Sequence, residues 1–214
     1  MKTSELIEAL AAVDNNSITP VAPSLRLAPA ALAGALVALA VLALWLGVQP
    51  LGQAARASWF WMKAGYSLTL AVGGFLLLVP LARPGARLGL AGGVISVIAL
   101  LAIWTMAMHA IMRTNADHRA ALWLGQTWRV CALRILALAA PIFIAIVLVL
   151  RRLAPTRLVL TGAAAGLLAG GLSAAVYGLY CQETAAPFVA VWYSLGVAGS
   201  AAVGALIGPR LLRW

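Results

Sequence analysis

Six stretches of about 20 mostly apolar residues, separated by segments that hold nearly all the charge, constrain this chain more than any motif in it. They read as spans at 29–48, 61–81, 88–108, 131–150, 158–179 and 188–207. A hydrocarbon core about 30 Å thick is crossed by roughly 20 helical residues. Only helices or closed barrels satisfy every backbone group inside lipid. The remaining composition agrees, with 64% hydrophobic and only 9% charged residues, where soluble chains hold about 25% charged. An ordinary globular enzyme, a disordered tail and a disulfide-rich secreted module are excluded. The expected fold is an all-α membrane protein of six transmembrane helices, with a short amphipathic segment at 1–28 and a transmembrane domain at 29–214.

Orientation follows from loop charge. With the N-terminus inside, the inner segments carry Lys2, Arg26, Arg83, Arg87, Arg151, Arg152, Arg157, Arg210 and Arg213, against Arg56, Lys63, Arg113, Arg119, Arg129 and Arg134 outside. The sharpest contrast sets the arginine loop 151–157 against 180–187, which has no positive charge and contains Glu183. Both termini are therefore expected in the cytoplasm, in a multi-pass protein of the bacterial inner membrane. Lys63 and Arg134 lie near span ends and are expected to snorkel to the headgroups. No acidic residue falls at a membrane centre, which argues against a proton-coupled permease. The residues 1–28 sum to −1, the wrong sign for the start of a signal peptide, so the first helix is expected to be a retained anchor.

Small residues recur every fourth position at Gly85, Gly89 and Gly93, at Gly162, Gly166, Gly170, Ala174 and Gly178, and at Gly196, Ser200, Gly204 and Gly208. That spacing forms ridges where backbones approach closely. The aromatic residues Trp59, Trp61, Trp104, Trp123, Trp128, Trp192, Tyr193 and Trp214 fall mostly near span ends, as an interfacial belt would.

Residues 1–28 contain the one candidate soluble contact surface. Thr3, Ser4 and Glu5 form a helix start. Leu6, Ile7, Leu10 and Val13 then make an apolar stripe, with Glu5 and Glu8 on the other side. A helix this short is marginal alone. A membrane-surface helix would favour basic residues on its polar face, so its two glutamates point to a basic partner protein.

Cys131 opens the fourth span and Cys181 follows the fifth. These spans run antiparallel, so both thiols reach the same, outer, face at comparable depth. A disulfide or a shared soft-metal site is then geometrically open. Arg129 and Arg134 are expected to favour a thiolate at Cys131, and His109, Asp117 and His118 precede it in the outer loop as further candidate ligands. No CxxC, HExxH, phosphate loop or Ser/His/Asp constellation occurs. No catalytic residue and no cofactor are expected.

The segments Trp128-Arg129-Val130-Cys131, 151–157, Tyr180-Cys181-Gln182-Glu183, 188–193 and Leu211-Leu212-Arg213-Trp214, with the opening 1–10, resemble the NrsF-like family of bacterial six-helix membrane anti-sigma factors. Tyr180 departs from the pattern, since His is expected beside that cysteine. The resemblance implies a protein that holds an extracytoplasmic-function sigma factor inactive and releases it under stress. The family's paired, signal-receiving cysteines map onto Cys131 and Cys181. Joined to the residue-level reading, this predicts sigma-factor contact through Glu5, Leu6, Ile7, Glu8 and Leu10, sensing of an oxidant or thiophilic metal by Cys131 and Cys181, and helix packing through Gly162, Gly166, Gly170, Gly178, Gly196 and Gly204. The signal is expected to pass through the contact of the fourth and fifth spans. The partners would be the sigma factor and the lipid bilayer, with no direct nucleic-acid binding. The competing class is a membrane thiol–quinone oxidoreductase or small-solute permease, and a scaffolding subunit is a third.

Overall fold

The computed structural model describes residues 3–5, 7–8, 22–49, 51–85 and 89–213. Six long helices are apolar enough to cross a membrane: α1 (Pro23–Trp45), α2 (Ser58–Leu81), α3 (Leu90–Met112), α5 (Trp128–Leu150), α6 (Leu158–Gly178) and α7 (Ala186–Leu211). A short helix, α4 (Ala116–Leu124), precedes α5. The shortest span has 21 residues, about 31 Å of rise and so enough for the hydrocarbon core.

The observed ends differ from the sequence expectation by a few residues. The largest shift is at α1, which starts at Pro23 rather than at position 29 and runs through Pro29. Proline suits a first helical turn because the amide it lacks would have no partner there. Position 29 is near enough to the start that little of the ladder is lost. Helix α4 was unexpected, because its mixture of Asp117, His118 and Arg119 with apolar residues hides it in what reads as a loop.

Helix α6 is the centre of the bundle. It packs most extensively on α7 and α2, then on α5 and α1, whereas α3 touches chiefly α2. Its glycines explain the closeness. A Cβ on Gly162 would run into the backbone of Gly204, and one on Gly166 into that of Ser200. At Gly170 it would stand 3.0 Å from Val197 Cα, and at Gly171, on the opposite side, 2.8 Å from Ala71 Cα. The ridge therefore seats against α7 and not against α5, contrary to the expected seam between the fourth and fifth spans. Spacing identifies a packing face but not the helix that fills it. On α7 a Cβ on Gly196 would stand 2.9 Å from Ile135 Cβ of α5, while one on Gly178 would stand 3.9 Å from the Tyr193 hydroxyl. The expected ridge of α3 does not form: Gly93 faces open space, and Gly92 instead meets Gly73 of α2.

Candidate functional site

Cys131 is the fourth residue of α5, and Cys181 follows the end of α6 by three residues. The helices are antiparallel neighbours, so both thiols come to one end of the bundle. Both are free, and they are 0% and 1% exposed. Cys181 stays on the helical path, its amide donating to Tyr177 O at 3.0 Å. Tyr177 thus lies one turn below it. Tyr193 comes from α7, where a π-helical turn at Val189–Tyr193 widens the helix and rotates the tyrosine inward. The two rings are 6.0 Å apart. Both hydroxyls are buried and make no hydrogen bond of good geometry, although Tyr177 lies beside Cys131 and Arg134, and Tyr193 beside Cys181. An unsatisfied buried hydroxyl is uncommon and costs stability, so the packing around the two thiols is held at some cost.

Lys63 completes the cluster. It was expected to snorkel outward, yet it is 1% exposed and turned into the bundle. Its Nζ donates to Cys181 O at 2.6 Å and stands 4.4 Å from the Trp59 ring centre. The electrostatic neighbours of the ammonium are Cys181, Glu183 and Cys131. A carbonyl and an indole face repay part of the desolvation of a buried ammonium. Arg129 and Arg134, the expected companions of Cys131, are engaged elsewhere. Arg129 lies over Trp128, and Arg134 donates to the Tyr180 hydroxyl at 3.4 Å.

The chain around Cys181 is tied to three other elements. Gln49, in the α1–α2 connection, donates from its amide to Leu179 O at 3.2 Å and from its side chain to Gly178 O at 3.3 Å. Lys63 brings in α2. Glu183 Oε1 accepts from Gln126 N at 2.7 Å, Thr127 N at 3.0 Å and Thr127 Oγ1 at 3.2 Å. Glu183 thereby caps the N-terminal end of α5, where anionic charge is favoured, one turn before Cys131. Gly125 makes that approach feasible. Its φ is +55°, and a Cβ there would stand 2.6 Å from Glu183 Oε2. Gln126, Thr127, Tyr180, Gln182 and Glu183 line a polar cavity of about 390 Å³ beside this junction.

No group of three His, Cys, Asp or Glu able to hold a metal occurs among the described residues. His109 lines a groove with Trp59, Met106 and Thr184, and His118 lies on the exposed face of α4. Neither the histidines nor Asp117 joins the cysteines. Tyr193 is likewise a core residue at 0% exposure rather than part of an interfacial belt.

In the leading segment Glu5, Ile7 and Glu8 are helical and exposed, while Leu6 and Leu10 lie outside the described residues; the other end of the bundle carries the 151–157 loop. The 151–157 loop is anchored by Arg151, whose Nε donates to Leu211 O at 2.8 Å. Helix α5 connects the two ends. It carries Cys131 at one end and packs along α1, where a Cβ on Gly34 would be 2.6 Å from Ile142 Cα. The sequence singled out both cysteines but missed Lys63, Tyr177, Tyr193 and the role of Glu183. The available signals were a lysine inside an apolar run and a tyrosine four residues before a cysteine.

No solved structure matches this chain. The family model described as "Negative regulator of sigma F" matches residues 11–214, so it leaves out the predicted contact residues 5–10. Two relatives are similar along the whole of both chains. The "Probable anti-sigma-F factor NrsF" of Azospira oryzae is 38% identical over 214 residues. The "Anti-sigma-F factor NrsF" of Caulobacter vibrioides is 42% identical over 217. With its match running from residue 11 to the last and its six apolar helices, this chain belongs to the NrsF family, a family of regulators rather than catalysts.

Proposed function

We propose that this protein is an inner-membrane anti-sigma factor that holds an extracytoplasmic-function sigma factor inactive and releases it when Cys131 and Cys181 react at the periplasmic face. The observation that carries the regulatory half is full-length similarity to two proteins named as anti-sigma-F factors. The sensing half is supported by the enclosure of two free thiols with Lys63, Tyr177 and Tyr193 at the junction of α2, α5, α6 and α7.

The cluster explains how small chemistry would have a structural effect. Oxidation would join the two sulfurs, breaking two S–H bonds and passing two electrons and two protons to the oxidant. A thiophilic metal would instead take both thiolates as ligands. Either event moves Cys181 relative to Cys131, and the carbonyl held by Lys63 and the cap supplied by Glu183 must follow. Helix α5 then shifts along α1 at Gly34, and α1 leads directly into the leading segment. The path runs from α5 to α1, in place of the glycine ridge of α6. At the cytoplasmic face, the apolar side of the leading segment, with Leu6, Ile7 and Leu10 flanked by Glu5 and Glu8, contacts the sigma factor.

Replacing Leu6, Ile7 or Leu10 with Asp is expected to abolish co-purification of the sigma factor while membrane insertion is kept. Unchanged co-purification places the contact elsewhere. Cys131→Ser and Cys181→Ser are expected to preserve repression in unstressed cells and to remove the response to oxidant or metal. A double variant that still responds normally removes the sensor role. A bound quinone copurifying in place of a sigma factor would favour the oxidoreductase alternative.

A further inference from the structure

We infer that the groove between α1 and α5 at the arginine-rich end of the bundle is a binding site for an anionic phospholipid headgroup. The groove holds about 600 Å³ and is lined by Leu25, Arg26, Pro29, Leu148, Val149 and Arg152. Its two arginines come from different elements, α1 and the turn after α5, and both are exposed and line the one groove. Like charges brought together repel unless an anion lies between them. Neither guanidinium group has a hydrogen-bond or ion-pair partner among the described residues, whereas that of Arg151 beside them is used internally, on Leu211 O.

Within the bundle itself that charge meets no acid. Between residues 22 and 213 the only acids are Asp117 and Glu183, and both belong to the thiol end. Arg83, Arg157, Arg210 and Arg213 share the arginine-rich end. The apolar part of the groove fits the same guest, since Leu25 is 69% and Leu148 57% exposed. A phosphodiester held bidentately by arginines, with acyl chains lying on leucines below, satisfies both halves. Basic pockets between transmembrane helices take anionic headgroups in this way. A free phosphate would satisfy the arginines but not the leucines, and a soluble acidic protein would not reach down α1 toward Pro29. The bound lipid would fix the end of α1 where the leading segment begins, independently of whether that segment binds a sigma factor.

The test uses the full chain in nanodiscs of phosphatidylcholine doped with photoactivatable phosphatidylglycerol. Labelling is expected to map to residues 25–29 and 148–152. Arg26→Gln with Arg152→Gln is expected to weaken capture about 30-fold, with Arg56→Gln and Arg113→Gln at the other end as the unchanged control. Glycerol phosphate in solution is expected not to compete. Equal labelling by a phosphatidylcholine probe overturns the assignment. So does labelling that maps elsewhere, a double variant that captures lipid as well as the parent, or full competition by glycerol phosphate. A groove that labels only after residues 1–21 are removed makes the chain's own acidic leading segment the occupant, and overturns it too.

Discussion

The two ends of α6 are held by different physics. Along its length, Gly162, Gly166 and Gly170 lie against the backbone of α7, and the contact is a long row of small attractions with no polar atom in charge of it. At its C-terminal end, α6 is tied by a handful of polar bonds, from Lys63, Gln49 and Glu183, around two thiols and two buried hydroxyls. The first contact resists change because no single group controls it. The second is sensitive because the bonds of Lys63 and Glu183 are charge-assisted, so one chemical event redistributes much of the energy there. The pairing sets a seam that stays put against a junction that yields, as the proposed sensing role requires.

Substitutions measure that contrast. The largest effect is expected from Gly204→Leu, which forces a side chain into the backbone of α6. A loss of more than about 3 kcal/mol, read as failure to accumulate or early thermal unfolding in detergent, is the expected result. Near-parental stability would mean that the seam is looser than its geometry. Lys63→Met comes next. It leaves Cys181 O unpaired, and a loss of about 1–3 kcal/mol is expected together with faster alkylation of Cys181 by a neutral maleimide. Unchanged alkylation would show that the lysine does not hold this loop. Glu183→Gln removes the charge from the α5 cap. About 1 kcal/mol and increased labelling of Cys131, rather than Cys181, are expected in the same assay. The smallest stability effect, below about 1 kcal/mol, is expected for Cys131→Ser, which changes volume little; its consequence should appear in signalling.

The six spans were legible in the sequence because lipid imposes one length and one composition on each of them. The ends were less so. Pro23 and Pro29 are both compatible with a first turn, and hydropathy does not choose between them. The glycine face of α6 was legible, but its partner was not, because a four-residue spacing fits any neighbour with small residues. Lys63 was misplaced for a related reason. Near a span end, snorkelling and inward pairing look alike in sequence, and what turns Lys63 inward is Cys181 O, 118 residues away. Glu183 escaped notice as a cap because the amides it receives belong to Gln126 and Thr127, far from it in the chain.

We propose that the state of the thiols sets the grip on the sigma factor. The direct measurement is the affinity of the full-length protein in nanodiscs for its sigma factor, reduced and after diamide oxidation, with Cys131→Ser as the control. A coupling of about 1–3 kcal/mol predicts roughly 5- to 150-fold weaker binding after oxidation, and no change in the serine variant. Equal affinity in the two states, with the disulfide confirmed by mass, would contradict the account.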